Sequence, residues 1–147
     1  MKGQSPRLRR ALAVTAVAAA IGGGVAAQSD WFAPAGRDFP LVGGNLGNQR
    51  YSTLTQITPA NLNRLGAAWL LHLEGGKAVG NMQGTPVVVD GVMYIGSGSG
   101  SVFAVDAATG VVKWKWESPF GGQTNRGVVV AEGRVFTGQS GARLVAL

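Results

Sequence analysis

Short runs of hydrophobic residues, separated by polar turn residues, fill the second half of the chain. Asp90-Gly91 lies between two runs rich in β-branched residues, and this pattern predicts a tight hairpin because glycine accepts positive φ without steric cost. Glu132-Gly133 repeats the hairpin signal further along the chain. The alternation predicts strands over 85–89, 92–96, 101–106 and 112–116, and again over 127–131, 134–138 and 143–147.

The two sets of strands are copies of one unit. Gly91 corresponds to Gly133 and Tyr94 to Phe136, with the same spacing in every pair. A repeat of about 40–45 residues made of four short strands has the size of one β-propeller blade. The sequence therefore predicts an all-β protein, a partial β-propeller of about two four-stranded blades. Because closing a ring takes at least about four blades, we expect the chain to be the N-terminal piece of a longer protein.

The N-terminus has the composition of a secretory signal peptide. Four basic residues precede an uncharged run over 11–25, and Val25-Ala26-Ala27 offers small residues for cleavage after Ala27. Residues 1–27 are therefore predicted to direct export to the periplasm or the medium. A transmembrane anchor is the alternative, although the run is shorter than the roughly 20 apolar residues that a bilayer requires. The pair Arg9-Arg10 leaves twin-arginine export open.

Removal of this segment changes the electrostatic picture. The chain carries 13 basic and 7 acidic residues, a net charge of +6, but four of the basic residues lie before residue 11. The rest of the chain has nine basic and seven acidic residues, and no basic stripe remains that could bind nucleic acid. The chain has no cysteine, so we expect no lipoprotein anchor. We also expect no membrane span after cleavage and no nucleic-acid partner.

Two regions follow the signal peptide. Residues 28–66 are loop-like and predict an extended N-terminal arm, with a short helix that Thr58 caps and Pro59 begins. Residues 67–147 hold the incomplete propeller repeats, and a strand carrying Trp69 is predicted over 67–73. The glycine-serine run over 96–100 is predicted to be a hairpin turn, because a strand follows it where a phosphate loop would require a helix.

The segment over 104–114 has the form A-x-D-x-x-T-G-x-x-x-W. Asp106 can accept the backbone donors of the turn, Gly110 suits a left-handed position, and Trp114 supplies a flat face for packing between blades. This segment resembles the tryptophan-docking motif of dehydrogenases that use pyrroloquinoline quinone (PQQ). The arm over 43–52 and the segment over 65–69 also resemble the N-terminal part of that family.

The resemblance to the quinoprotein alcohol dehydrogenases implies a fold and an activity. The fold is an eight-bladed propeller with PQQ on its axis. The reaction is oxidation of an alcohol, aldehyde or sugar by hydride transfer to the quinone, beside a calcium or lanthanide ion. A cytochrome c or a quinone then accepts the electrons.

The resemblance also implies cofactor-binding residues in this chain. Asn125-Arg126-Gly127 resembles the family's Asn-Arg-Gly, whose arginine binds the quinone, and a guanidinium matches the oxygens of a tricarboxylated orthoquinone. Thr124 is included in the predicted set. Gln83 stands where methanol-type and ethanol-type members carry a glutamate. Phe120-Gly121 stands where those members carry a vicinal cysteine pair, and Phe120 is expected to offer the stacking surface instead.

No catalytic residue and no metal ligand is predicted within the chain. The resemblance implies that the catalytic aspartate and the metal ligands follow Leu147, and His72 is interpreted as structural. Two other functions stay open at this point. One is a non-enzymatic propeller that serves as an assembly scaffold, and the other is a degenerate repeat protein without the cofactor, which the departures at Gln83 and Phe120 allow.

Overall fold

The computed structural model describes residues 30–76, 80–121 and 125–147. All of the described residues except Asp30 belong to one compact unit, residues 31–147. None of the helices in these residues is long and apolar enough to cross a membrane. The predicted signal peptide and its cleavage site lie outside the described residues and stay a prediction.

Eight short strands make up the described part of the propeller region. They are β1 (Met82–Thr85), β2 (Val87–Val89), β3 (Val92–Gly96), β4 (Val102–Asp106), β5 (Val112–Trp116), β6 (Asn125–Ala131), β7 (Arg134–Gln139) and β8 (Arg143–Ala146). Strands β2-β3-β4-β5 form one sheet, and strands β1-β6-β7-β8 form another. The predicted all-β fold, with about two four-stranded blades of a propeller, is confirmed.

The two hairpin turns have the geometry that their sequences predict. Asp90 and Gly91 have φ of 51° and 74°, and Glu132 and Gly133 have φ of 49° and 72°. Two successive positive φ values are the mark of the turn that matches the twist of paired strands. The turns set the antiparallel register of β2 with β3 and of β6 with β7.

Pro86 interrupts the strand predicted over 85–89: Thr85 is the last residue of β1, which begins at Met82, and β2 begins at Val87. Proline has no N–H to donate to a ladder, so the strand is interrupted there. β2 stays in the first blade, whereas β1 pairs in parallel with β6 of the second blade, Met82 opposite Asn125. A Cβ on Gly84 would lie 2.6 Å from the Gly127 Cα, so this parallel pairing depends on bare backbone. The β1–β6 pairing therefore joins the segment that leads into β2 to the start of β6.

The turn at Asp106 is built by local hydrogen bonds. The Asp106 Oδ1 accepts from the Thr109 Oγ1 at 2.9 Å, from the Thr109 N at 3.0 Å and from the Ala108 N at 3.2 Å. Gly110 has φ of 75°, the left-handed conformation that the motif requires. Both roles agree with the sequence prediction.

A different tryptophan packs on this turn. The strand predicted over 67–73 is wrong, since that segment is irregular and ends in the short 3-10 turn Leu73–Gly76. Its Trp69 donates from Nε1 to the Ala107 O at 3.1 Å and covers Gly110, where a Cβ would lie 2.7 Å from the Trp69 Cδ2. Trp114 instead lies half-exposed on β5 and packs against Tyr94. The sequence pattern could not distinguish a strand from an extended segment that is held in place because its Trp69 ring packs on a distant turn.

The arm contacts the first blade as an added edge. Phe39 donates to the Val88 O at 2.7 Å, and Val88 donates back to the Phe39 O at 2.9 Å. The predicted short helix is a single 3-10 turn, Leu62–Arg64, and it begins later than expected. The Asn61 side chain accepts from the Thr58 N at 2.8 Å, so Thr58 lies in the preceding turn instead of capping the helix.

The hydrophobic core lies between the two blades. Val87 and Val102 of the first blade are buried against Val128 and Val135 of the second. Tyr94, Trp116, Val130 and Leu147 close the edges of this cluster. Burial of aliphatic surface therefore holds the blades together and fixes β6 relative to β2.

Candidate functional site

A cavity of about 390 Å³ opens beside the start of β6. Half of its lining residues are glycines, namely Gly100, Gly121, Gly127, Gly138 and Gly141, and the others are Asn125, Arg126, Gln139, Ser140 and Ala142. Arg126 is the one charged residue among the described lining residues. The volume lies within the range of small-molecule sites. Bare backbone walls with a single guanidinium suit a flat anionic ligand.

Asn125 holds the backbone from which Arg126 projects. Asn125 is 5% exposed, and its Oδ1 accepts from the Gly127 N at 2.7 Å. Its side chain lies against Gly96 of the first blade, where a Cβ would come within 2.6 Å of the Asn125 Cγ. Asn125 lines the cavity, but its carbonyl is used within the protein. The geometry makes it a residue that positions the Arg126 backbone.

Arg126 and Gln83 lie on neighbouring strands. Both side chains are exposed, and β1 and β6 pair in parallel around them. No hydrogen bond or ion pair joins the Arg126 side chain to another described residue. Arg126 lines the cavity, whereas Gln83 lies at the adjacent strand without lining it. Thr124 falls within residues 122–124, outside the described residues.

The Phe120 ring lies under a second guanidinium. The Arg143 Cζ is 4.8 Å from the ring centroid, a cation–π distance, and the Arg143 Nη1 donates to the Ser140 O at 2.6 Å. Phe120 remains partly exposed, and the next residue, Gly121, lines the cavity. Phe120 does not itself line the cavity, and Arg143 occupies one face of its ring, so its stacking role stays a prediction.

The half-buried carboxylate of Glu74 binds side chains of the first blade. Partial burial opposes ionisation of Glu74, but hydrogen bonds from Ser99, Lys115 and Ser97 outweigh it and lower the pKa of Glu74 to about 2. The Lys115 Nζ lies 2.9 Å from the Glu74 Oε2, and the Ser97 Oγ lies 2.7 Å from the Oε1. This network borders a separate cavity of about 490 Å³ that His72 also lines. It shares no lining residue with the Arg126 cavity.

No metal site is formed by the described residues, since they contain no group of three or more His, Cys, Asp or Glu that could hold an ion. Sequence reasoning missed Gln139, which lines the Arg126 cavity, and Glu74. The available signal for Gln139 was its place in the repeat, where it is the counterpart of Ser97. Glu74 lies in a glycine-rich connection and carried no such signal.

Comparison with known proteins decides the family. The family model described as glucose/ethanol/alcohol dehydrogenase, beta-propeller domain, of the PQQ type, matches residues 39–147. The chain belongs to this PQQ propeller family. The family predicted from the docking motif and the arm is therefore confirmed.

Curated members of the PQQ propeller family include alcohol dehydrogenases. The quinohemoprotein alcohol dehydrogenase of Comamonas testosteroni is 38% identical over 119 residues, covering 75% of this chain and 16% of the relative. The 1-butanol dehydrogenase (cytochrome c) of Thauera butanivorans is 38% identical over 122 residues, covering 77% of this chain and 17% of the relative.

Solved structures of the PQQ propeller family have the same fold. The crystal structure of the Comamonas testosteroni enzyme matches with a TM-score of 0.68 at 36% identity, over 76% of this chain and 18% of that one. The quinohemoprotein alcohol dehydrogenase ADHIIG of Pseudomonas putida matches with a TM-score of 0.67 at 35% identity, over 76% of this chain and 17% of that one. The chain thus spans less than a fifth of the length of these relatives.

Proposed function

We propose that this chain is the N-terminal part of an exported PQQ-dependent dehydrogenase, which oxidises an alcohol, aldehyde or sugar by hydride transfer to the quinone. Arg126, Gln83, Asn125 and Thr124 are its share of the cofactor site. The observation that carries the proposal is Arg126, an exposed guanidinium without a described partner, at a glycine-walled cavity in a PQQ propeller.

The chemistry of the cavity fits the cofactor. PQQ is planar and carries three carboxylates, and the donor fork of Arg126 can bind a carboxylate and a carbonyl oxygen together. Glycine walls allow a flat ring system to approach the backbone closely. Gln83, on the adjacent strand β1, carries an amide in place of a carboxylate, so it would not repel an anionic ligand at the cavity. When bound, the quinone accepts the hydride of the oxidised substrate.

The remaining components belong to the whole protein. A calcium or lanthanide ion would be bound by residues that follow Leu147, as the resemblance implies. The relatives include a 1-butanol dehydrogenase (cytochrome c) and the dehydrogenase subunit of an alcohol dehydrogenase (quinone), and we propose a cytochrome c or a quinone as the electron acceptor. Export to the periplasm follows from the proposed signal peptide, and N-terminal sequencing of the secreted protein should begin at Gln28.

The test is a titration of the complete gene product with PQQ and calcium or a lanthanide. Quinone binding is followed by quenching of tryptophan fluorescence, and dye-linked oxidation of alcohols, aldehydes and sugars reports turnover. Activity that requires both quinone and metal is expected. A folded product that neither binds quinone nor turns over would overturn the proposal and favour the assembly scaffold.

Two arginine variants locate the site. Arg126→Ala should raise the Kd for quinone about tenfold to a hundredfold, the effect of losing a charge-assisted hydrogen bond. Arg134→Ala is the matched control, since Arg134 is exposed at the start of β7 and does not line the cavity. Equal quinone affinities for the two variants would remove Arg126 from the site.

A further inference from the structure

The amide of Gln139 joins three separate parts of the chain. Its Nε2 donates to the Gly100 O at 3.0 Å and to the Thr137 Oγ1 at 3.2 Å, and its Oε1 accepts from the Ser118 Oγ at 2.7 Å. Gly100 is in the turn between β3 and β4, and Ser118 is in the connection that leads from the first blade to the second. Both N–H donors and the oxygen of this half-buried amide are therefore used.

The corresponding residue of the first repeat, Ser97, also binds a segment that lies far away in the chain. Ser97 occupies the equivalent position, just after β3 as Gln139 ends β7. The Ser97 Oγ donates to Glu74, which lies in the segment that leads into β1. In both repeats a polar side chain at the end of the same strand of the unit binds the segment that comes before that repeat: Ser97 binds the segment before β1 and β2, and Gln139 binds the segment before β6. A side-chain hydrogen bond at this position is thus found in both repeats.

In the second repeat the hydrogen bonds of Gln139 lie at the wall of the Arg126 cavity. Gln139, Gly100 and Gly121 all line that cavity. A Cβ on Gly100 would lie 3.0 Å from the Gln139 Oε1 and 3.3 Å from the Gly121 O, so the turn, the amide and the connection are in close contact. The connection over 117–121 runs toward the start of β6, where Arg126 lies.

We propose that Gln139 is a positioning residue of the Arg126 cavity. Its amide fastens the connection over 117–121 and the Gly100 turn to β7, and so holds Arg126 where a planar polycarboxylate can bind. The identity of the ligand as PQQ rests on the proposed function, whereas the positioning role rests on the hydrogen bonds of Gln139 alone. Gln139 need not touch the ligand.

The experiment compares Gln139→Leu with Ser97→Ala in the complete gene product. Hydrogen–deuterium exchange without ligand reports on the peptides over 117–121 and 125–127, and a PQQ titration by fluorescence quenching reports affinity. Gln139→Leu should speed exchange in both peptides and raise the Kd for quinone about tenfold, as expected for loss of a buried hydrogen-bonded group. Ser97→Ala, which breaks the equivalent contact away from the cavity, should leave both readouts within about twofold of the wild type.

A pH series separates positioning from general destabilisation. Gln139→Glu can still accept from Ser118, but once ionised it cannot donate to the Gly100 O. In the ligand-free protein, where no anionic ligand can be repelled by the new carboxylate, its exchange rate in the 125–127 peptide divided by that of the wild type should therefore rise as pH rises through the carboxylate pKa and fall on acidification. A constant ratio across pH would contradict the role. If Gln139→Leu fails to fold, Ser118→Ala removes one of the three bonds and should give the same changes in a smaller measure.

The outcomes distinguish this inference from the proposed function. Unchanged exchange at 125–127 in a folded Gln139→Leu protein would overturn the positioning role, whether or not quinone binds. Faster exchange at 125–127 together with a wild-type protein that does not bind PQQ would support the positioning role and overturn the proposed function. Faster exchange with an unchanged quinone Kd would overturn the claim that Gln139 acts on the ligand site.

Discussion

The two repeats place equivalent residues in unlike surroundings. Val87 in the first blade is 0% exposed, whereas its counterpart Val129 in the second is 39% exposed. Val102 is likewise 0% exposed and its counterpart Leu144 is 74% exposed. The second blade covers the first, and no described element covers the far face of the second. The comparison shows that a repeat unit specifies which side chains are apolar, while the neighbouring unit decides whether they are buried.

The same comparison holds for two glycines at equivalent positions. A Cβ on Gly96 would lie 2.6 Å from the Asn125 Cγ, whereas a Cβ on Gly138 would meet no described atom within 4 Å. The first glycine makes room for the residue that precedes Arg126. The second faces the open cavity. Only the first is required by packing between the blades.

The side-chain hydrogen bonds made by Ser97 and by Gln139 differ in the charge of their partners. In the first repeat Ser97 binds the ionised Glu74, which also pairs with Lys115. In the second repeat the neutral amide of Gln139 binds Ser118. The first fastening is therefore expected to respond to acid, and the second is not.

The largest expected effect separates the two glycines. Gly96→Ala should destabilise the protein by about 3 kcal/mol, because its methyl group would overlap the Asn125 side chain in a packed interface. It should also weaken quinone binding, since Asn125 holds the backbone of Arg126. Gly138→Ala should change the free energy of unfolding by less than about 0.5 kcal/mol. Urea unfolding followed by tryptophan fluorescence measures both, and equal midpoints would break the comparison.

The valine pair gives the next largest effect. In this 147-residue chain, Val87→Ala should cost about 2 kcal/mol through lost burial and a cavity, whereas Val129→Ala should cost about 0.5 kcal/mol. In the complete gene product a third blade packed on the second would raise the cost of Val129→Ala toward that of Val87→Ala. Denaturant midpoints of both variants in both proteins test this. A Val129→Ala cost that stays small in the complete product would contradict packing of a further blade on that face.

The smallest effect concerns the charged fastening. The pKa of Glu74 is lowered from 4.5 to about 2, so its ionised form stabilises the fold. That contribution is complete above about pH 4.5 and is lost as pH falls toward about 2. Glu74→Gln should destabilise the protein by about 1 kcal/mol at neutral pH and flatten this acid dependence.

Glu117→Gln is the control for that variant, because Glu117 binds the same Lys115 from an exposed position. It should leave the acid dependence of the unfolding midpoint as in the wild type. An identical acid profile for Glu74→Gln and Glu117→Gln would show that Glu74 does not carry the effect.

Features that depend on neighbours in the chain were predictable. The turns at Asp90-Gly91 and at Asp106 are decided by residues within a few positions of each other, since glycine accepts positive φ and a carboxylate accepts from the next N–H groups. The repeat period was sufficient to predict the blades, and the docking motif with the arm was sufficient to predict the family.

Contacts between distant segments were not predictable. Trp69 covers Gly110, β1 crosses to pair with β6, and Gln139 binds Ser118 and Gly100, and each contact joins residues far apart in the chain. No local pattern records which partner such a side chain meets. The same holds for Arg126: the resemblance to the family's Asn-Arg-Gly indicated a cofactor role, but its exposure at a glycine-walled cavity is visible only in the folded blades.

The sequence by itself determined the period, most of the strands and the tight turns, because these follow from local sterics and from the spacing of apolar residues. The resemblance of the docking motif and the arm indicated the PQQ propeller family. The tertiary structure alone decided which equivalent valines are buried, which glycine must stay bare and which amide fastens the cavity wall. Burial, close approach and hydrogen bonding depend on what lies across the interface, and that is a property of the packed blades.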